Sequence, residues 1–248
     1  MLGATVVFRP LTYWRRFTRF KQNRNGQDEC EPKEKHIDQV MNFSNKDLKA
    51  ALRTRVRALR DGLSLEDRLA KGEAVARLLK SWAPLKQSSS IAAFRAFGSE
   101  VNLDPLIRSL LADGRQVYVP RVRAGKTLEL CRVKDLENGW IQHRFGVLEP
   151  AGGPGMDGEP EVDPASIDLY LMPGVAFDPA GNRLGFGMGY YDDLVRKAGS
   201  RPVRVGVAFD CQMMDALPVD VWDERVDWIA TESGVVPGAG VVRGSGRL

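Results

Sequence analysis

Three glycines at alternate positions stand immediately before two tyrosines and two aspartates in the stretch RLGFGMGYYDDL, Arg183 to Leu194. Lacking Cβ atoms, Gly185, Gly187 and Gly189 allow positive φ and let backbone N–H groups approach a phosphate chain closely. The residues that follow open a helix, whose N-terminus adds partial positive charge, and Arg183 adds a forked donor. Asp192 and Asp193 stand just behind this turn, where a carboxylate beside bound phosphate could hold Mg²⁺. Two blander readings stay open: the glycines could only relieve crowding in a tight strand-to-helix turn, and an aspartate there could cap the helix. The spacing G-x-G-x-G fits neither the P-loop nor the full dinucleotide fingerprint.

Other candidates for chemistry are few. The two histidines, His36 and His143, lie in polar runs without a nucleophile-like motif nearby, which speaks against Ser-His-Asp or Cys-His catalysis. Cys30, Cys131 and Cys211 are odd in number, far apart and never in a C-x-x-C pair. Neither a disulfide framework nor a zinc site is suggested, and a reducing compartment fits.

The elements that must position the glycine turn follow from periodicity. Ser44 with Asp47 resembles a capping box, and Leu48, Leu52, Val56 and Leu59 then recur as the apolar face of a first helix, with Lys46, Lys49, Arg53 and Arg60 opposite. Ser64 with Asp67 starts a second helix ending before Pro84. IAAFRAF, QVYVP, LELCRV, IDLYLMPGVAF, VRVGVAF and RVDWIATE read as strands, while LDPLIRSLLADG and YYDDLVRKAG read as helices. Near-continuous apolar strands alternating with helices predict an α/β fold of three layers, with a mostly parallel central sheet and helices on both faces. The turn 183–189 then follows a buried strand, where open α/β sheets place ligands. The ending GVVPGAGVVRGSGRL carries too many glycines to be expected as a regular element.

At 248 residues and 43% hydrophobic, the chain can bury one main core. Its formal charge of +4 is slight, but Met1 to Gln27 holds no acidic residue and interleaves arginines with aromatics. Such an arm reads as a dispensable extension with Met41 opening the real chain, as a transit peptide, or as an arm for nucleic acid or an anionic surface. The expected organisation is extension and polar linker over 1–43, the α/β domain over 44–232 and a Gly-rich tail over 233–248. No run approaches the roughly 20 apolar residues of a membrane-spanning helix, so a soluble chain is expected.

Five stretches in order carry a resemblance. NKDLKAALRTRVRAL, GSEVNLDPLI, RFGVLEP, PGVAFDPAGNRLGFGMGYYDDLV and LPVDVWDERVDWIATE resemble the ordered motifs of the 5-formyltetrahydrofolate cyclo-ligases, also called methenyltetrahydrofolate synthetases, over roughly Ser44 to Glu232. The resemblance implies an enzyme that uses ATP and Mg²⁺ to close 5-formyltetrahydrofolate to 5,10-methenyltetrahydrofolate, releasing ADP and phosphate. It implies phosphorylation of the formyl oxygen followed by attack of N10, chemistry that rests on positioning and charge more than on a protein nucleophile.

Residue by residue, the resemblance implies catalytic roles for Lys46, Arg183, Tyr190 and Asp192. It implies an ATP site of Lys46, Lys49, Arg183, Leu184, Gly185, Phe186, Gly187, Met188, Gly189, Tyr190 and Tyr191. Arg95 and Glu100 would join Phe186, Gly187, Met188, Gly189 and Tyr190 at the folate, and Asp192 and Asp223 would hold the metal. Three residues depart from the family pattern: Lys49 stands where arginine is usual, Asn102 where aspartate is, and Met188 where glycine or lysine often is. The implied partners are the two small-molecule substrates acting on a monomer, with no nucleic acid and no transmembrane segment. A cytoplasmic location is expected, or a mitochondrial one if residues 1–40 are a transit peptide. Two rivals are kept: a non-catalytic folate- or nucleotide-binding relative whose arm docks RNA or a surface, and an ATP-dependent ligase or kinase for another substrate.

Overall fold

The computed structural model of the chain describes the backbone of Thr18–Gln22 and Asp28–Pro32, and residues 44–123, 127–142, 146–152 and 161–239. The readings of the remaining N-terminal arm, of His36 and His143, of most of the loop 152–163 and of the chain end from residue 240 lie outside the described residues. The chain divides into two compact units, Met1–Ser44 and Asn45–Leu248. In the first, β1 (Thr18–Gln22) and β2 (Asp28–Pro32) pair antiparallel, with Thr18 opposite Pro32 and Gln22 opposite Asp28. The sequence reads this region as arm and linker, but strand pairing uses backbone groups and needs no apolar stripe.

The second unit opens with α1 (Asn45–Asp61), α2 (Leu65–Ser81) and a short α3 (Ala83–Gln87). Then come β3 (Ser90–Ala92), α4 (Asp104–Ala112), β4 (Gln116–Arg123), β5 (Thr127–Val133), β6 (Trp140–Gln142) and β7 (Leu148–Pro150). The last part holds β8 (Leu169–Pro173), β9 (Ala176–Phe177), β10 (Arg183–Leu184), α5 (Tyr190–Ala198), β11 (Val203–Val207), β12 (Trp228–Thr231) and β13 (Gly234–Pro237). Seven strands form one sheet in the order β13-β12-β11-β8-β3-β4-β5. The five inner strands run parallel, and β13 and β5 join the edges antiparallel.

The expected three layers follow from alternation along the strands. Leu169 and Leu171 of β8 point into a cluster with Val75 and Leu79 of α2 and Leu106 and Ile107 of α4. Tyr170 and Met172 point the other way, toward Leu194, Val195 and Ala198 of α5. All five residues of β8 are buried, because helices cover both sides of this central strand. At the start of α2, Ser64 Oγ accepts the Asp67 N–H at 3.0 Å and donates to the Asp67 carboxylate at 2.8 Å. Among the described residues, no helix is long and apolar enough to cross a membrane.

Two expectations are corrected. Gly234–Pro237 is a regular element: β13 pairs with β12, Ile229 opposite Val236 and Ala230 opposite Val235. An existing strand edge offers backbone partners that glycines satisfy as well as other residues. The apolar face assigned to α1 is turned inward only in part, through Val56 and the half-buried Leu52. Leu48 and Leu59 are 41% and 47% exposed, whereas Lys49, Val56 and Arg60 are buried. Val56 packs with Val175, Ala176, Leu184 and Leu217, which seats α1 on the β9–β10 hairpin just beyond the carboxyl end of β8. Counter-charges remote in sequence, Asp220 and Asp223, let Lys49 turn in beside Val56.

Candidate active site

Four cationic residues of α1 at positions 49, 53, 57 and 60 recur near the helical repeat and meet three loops. Lys49 Nζ donates to Asp220 Oδ2 at 2.7 Å and to Asp223 Oδ2 at 2.5 Å. Burial alone would lower the Lys49 pKa, but the two carboxylates outweigh it and hold the ammonium above its ordinary 10.5. The Lys49 hydrogen bond, and then that from Asn45 Nδ2, pull Asp220 below the usual carboxylate value. Lys46, on the same helix, is exposed and makes no hydrogen bond or ion pair among the described residues. Sequence reasoning places both lysines at the phosphates; the helix turns only Lys49 inward.

Arg53 reaches the glycine turn. Its Nε donates to the Gly185 carbonyl at 2.8 Å, and its guanidinium lies beside Gly187, whose φ is 102°. Arg57 stands 5.9 Å from the ring centroid of Phe186, which is 44% exposed; Met188 beside it is 56% exposed. Gly189, in the left-handed region, precedes the first residue of α5, the half-buried Tyr190. The turn therefore does connect a short strand to a helix N-terminus with open, glycine-rich backbone, the arrangement that suits an anion.

Arg183 lies beneath this turn rather than on it. Its side chain is 3% exposed, and its Nη2 donates to Asp192 Oδ1 at 2.8 Å. A Cβ on Gly185 would stand 2.8 Å from Arg183 Nη1, so this glycine makes room for the guanidinium. Arg183 also faces the Tyr191 ring at 5.7 Å, and its Nε is buried without a partner among the described residues. Leu184 is a core residue whose carbonyl accepts the Val175 N–H at 2.7 Å.

Asp192 and Asp223 meet different cations, Arg183 and Lys49. They are tied together through the backbone, because the Glu224 N–H donates to Asp192 Oδ1 at 3.3 Å. Asp223 Oδ2 also accepts the Asp220 N–H at 2.8 Å. One oxygen of each carboxylate carries no hydrogen bond among the described residues, and hard oxygen donors suit Mg²⁺. No group of three or more His, Cys, Asp or Glu able to hold a metal occurs among the described residues. Two carboxylates completed by phosphate and water oxygens are what Mg²⁺ ordinarily uses. A cleft of about 660 Å³ touches Asp220 and Asp223 but lies apart from the glycine turn and Glu100.

The fourth cation, Arg60, reaches the turn that carries Glu100: its Nε donates to Ser99 Oγ at 2.8 Å. Burial raises the Glu100 pKa to about 7, against the opposing Phe97 N–H and the Arg60 charge. Tyr191 of α5 faces the same carboxyl, and burial pushes its phenol well above the ordinary value. Arg95 is held by Asp104, with Nη2 at 2.6 Å from Oδ2, and stacks on Trp140 at 4.4 Å from the ring centroid. Trp140 Nε1 is buried without a partner among the described residues. Asn102 Oδ1 accepts the Asp104 N–H at 2.9 Å, so this departure from the family pattern holds the start of α4.

Arg53, Arg57, Asp220 and Trp140 escape the sequence reading of the site. A cationic row continuing from Lys49 is the signal for the arginines, and a lone tryptophan in the polar run NGWIQ is the signal for Trp140. Asp220 offers no local signal, since its partner is remote in sequence.

Residues 45–232 match the model of the 5-formyltetrahydrofolate cyclo-ligase family. The chain belongs to that family. It is 30% identical to the 5-formyltetrahydrofolate cyclo-ligase of Escherichia coli K12 over 184 residues, covering 73% of this chain and 98% of the relative. It is 27% identical to the mouse cyclo-ligase over 200 residues, covering 78% and 96%. The structure of the Aquifex aeolicus 5,10-methenyltetrahydrofolate synthetase superposes with a TM-score of 0.68 at 36% identity, over 81% of this chain and 96% of that one. The family region runs from the first residue of α1 to just past β12, so it includes every residue placed in the site above.

Proposed function

We propose that this enzyme uses ATP to cyclise 5-formyltetrahydrofolate to 5,10-methenyltetrahydrofolate. The formyl oxygen attacks the γ-phosphorus of ATP and ADP departs. N10 then attacks the activated formyl carbon, and the oxygen leaves as phosphate. Each step asks the protein for orientation and for positive charge where phosphate charge gathers, not for a nucleophile of its own.

The observation that carries this reading is that one face of α1 meets both the glycine turn and the Glu100 turn. With a rise of 1.5 Å per residue, Lys49 and Arg60 stand roughly 16 Å apart along the helix. The Lys49–Arg53 end serves the triphosphate, with the exposed backbone of Gly187 and Gly189 beside it. The Arg60 end, with Glu100 and the Arg95–Trp140 stack, serves the pterin. Phe186 and Met188 lie between and cover the folate. Asp192 and Asp223 would hold Mg²⁺ against the phosphates; the ion supplies charge neutralisation there. The reaction is carried by residues 44–232, and residues 1–43 are dispensable for it.

The test follows the near-ultraviolet absorbance of the methenyl product when full-length protein is mixed with 5-formyltetrahydrofolate, ATP and Mg²⁺. Growth of the band that stops when ATP is withheld is the expected result. ADP release without the band would reassign the site to another acceptor, and ATP binding without ADP release would make the protein a non-catalytic relative.

A further inference from the structure

Arg60 lies in the last turn of α1 and is 3% exposed. A guanidinium removed this far from water needs partners for its five N–H donors. Its Nε has Ser99 Oγ at 2.8 Å, and Ser99 Oγ in turn donates to Asp61 Oδ1. Nη1 is buried and unpartnered among the described residues. The structure therefore retains a buried cation at incomplete satisfaction, and the acid whose charge offsets its burial most is Glu100, ahead of Asp61.

Glu100 follows Ser99 in a tight turn. Gly98 takes φ 62°, the Glu100 N–H donates to the Phe97 carbonyl at 3.2 Å, and the Phe97 N–H donates to Glu100 Oε2 at 2.9 Å. Two groups face the carboxyl, Arg60 from α1 and Tyr191 from α5. Arg60 is faced in turn by Asp61 and Arg57 on its own helix and by Cys211 from the 3-10 turn Asp210–Gln212. Of these, only Arg60 stabilises the charged form of Glu100 and also touches the turn that carries it.

We propose that Arg60 is a positioning residue for the folate: anchored on Ser99, it fixes the Phe97–Glu100 turn and presents Glu100 to the pterin as a carboxylate. The inference rests on the reading of Glu100 as the pterin's partner. A pterin ring edge offers amino and amide N–H donors, which an ionised carboxylate accepts with both oxygens and a protonated one with fewer. Burial already brings Glu100 to a pKa of about 7, so both forms are populated near neutral pH. Arg60 tips the balance toward the acceptor form, and Ser99 keeps Arg60 in place to do so.

The experiment measures kcat/KM for 5-formyltetrahydrofolate against pH in Arg60→Met, Arg60→Lys, Ser99→Ala and Glu100→Gln. In Arg60→Met the acid limb is expected to move up by about one pH unit or more, giving on the order of a five-fold loss at pH 7 that recovers by roughly pH 9. Arg60→Lys should restore much of the limb's position. Ser99→Ala should raise the folate KM while the KM for ATP stays within about two-fold, because only the folate end of α1 is disturbed. A pH-independent loss in Arg60→Met, or none, would overturn the role of Arg60. If Arg60→Met does not fold, an unmoved limb in Arg60→Lys combined with an unmoved folate KM in Ser99→Ala overturns it equally. The underlying reading is separated by Glu100→Gln: an unchanged folate KM there removes Glu100 from the pterin site and the proposal with it. A raised KM in Glu100→Gln beside an unshifted limb in Arg60→Met removes Arg60 alone.

Discussion

The Arg53 guanidinium occupies the space beside Gly187 that any side chain there would need. A Cβ at that position would lie 3.3 Å from both Cζ and Nη2 of Arg53, and the residue's φ of 102° is one that L side chains rarely adopt. The glycine is thus required by its own backbone, and a side chain there would also press on the Arg53 guanidinium.

Gly187→Ala is accordingly expected to distort the turn by about 1–3 kcal/mol of backbone strain and to push Arg53 away. The KM for ATP should rise roughly ten-fold or more at little cost to global stability, since residues 186–189 are exposed. Steady-state kinetics with thermal melts check this, and normal ATP kinetics would remove the turn from the nucleotide site.

Asp192→Asn keeps the shape of the side chain and removes its charge. If this carboxylate holds the metal, turnover falls by several orders of magnitude and added Mg²⁺ does not restore it. The substitution also leaves Arg183, 3% exposed, without its counter-ion, so a stability loss of about 1–3 kcal/mol is expected in the same protein. Turnover near wild type accompanied by that stability loss would make Asp192 only the partner of Arg183.

Lys49→Met leaves Asp220 and Asp223 facing each other without the ammonium that joins them, and a fall in Tm on the order of 5 °C is expected near neutral pH. The pH dependence has a fixed sign at each end. Lys49 is raised in the folded state, so its contribution is complete below 10.5 and fades as pH climbs through the higher folded value. Asp220 is lowered in the folded state, so its contribution is complete above 3.8 and fades as pH drops through the lower folded value. The Tm gap between wild type and variant should therefore be flat across the neutral range and narrow at both extremes. A gap independent of pH would show that packing of the lysine stem, not charge, is what the variant loses.

Gly206 of β11 lies against the fully buried ring of Phe177. A Cβ there would come within 2.3 Å of that ring, with sheet neighbours on both sides leaving no room to yield. Gly206→Ala is expected to cost about 1–3 kcal/mol by overpacking, measured by chemical denaturation. An unchanged midpoint would mean that the Phe177 ring can tilt toward the site.

What the sequence determined by itself is everything that short-range physics controls. The short apolar runs around Leu169 and Val205 read as strands covered on both sides, and Ser64 with Asp67 starts a helix through bonds three residues apart. Alternate glycines before YYDD make a tight turn into α5 wherever that segment is placed. Residue type and order in five separated stretches were enough to indicate the family.

The tertiary structure decided which charges matter and which face of a helix they occupy. Periodicity turns Leu48 and Leu59 of α1 inward, because transfer from water favours burying leucine over lysine or arginine. Of that apolar set only Val56 and the half-buried Leu52 turn in, and Lys49 and Arg60 are buried beside them because Asp220 and Asp223 arrive more than 170 residues later to pair with Lys49, and Ser99 arrives to hold Arg60. The pairing of Arg183 with Asp192 can be suspected from nine residues of separation, but not that it lies beneath the turn, with Gly185 making space for it. Likewise β13 exists because the edge of β12 was free to pair. Hydrophobic pattern and turn chemistry act between neighbours in the chain, so they can be read from it. The worth of a buried charge is set by partners that only folding brings within hydrogen-bond distance, so it cannot.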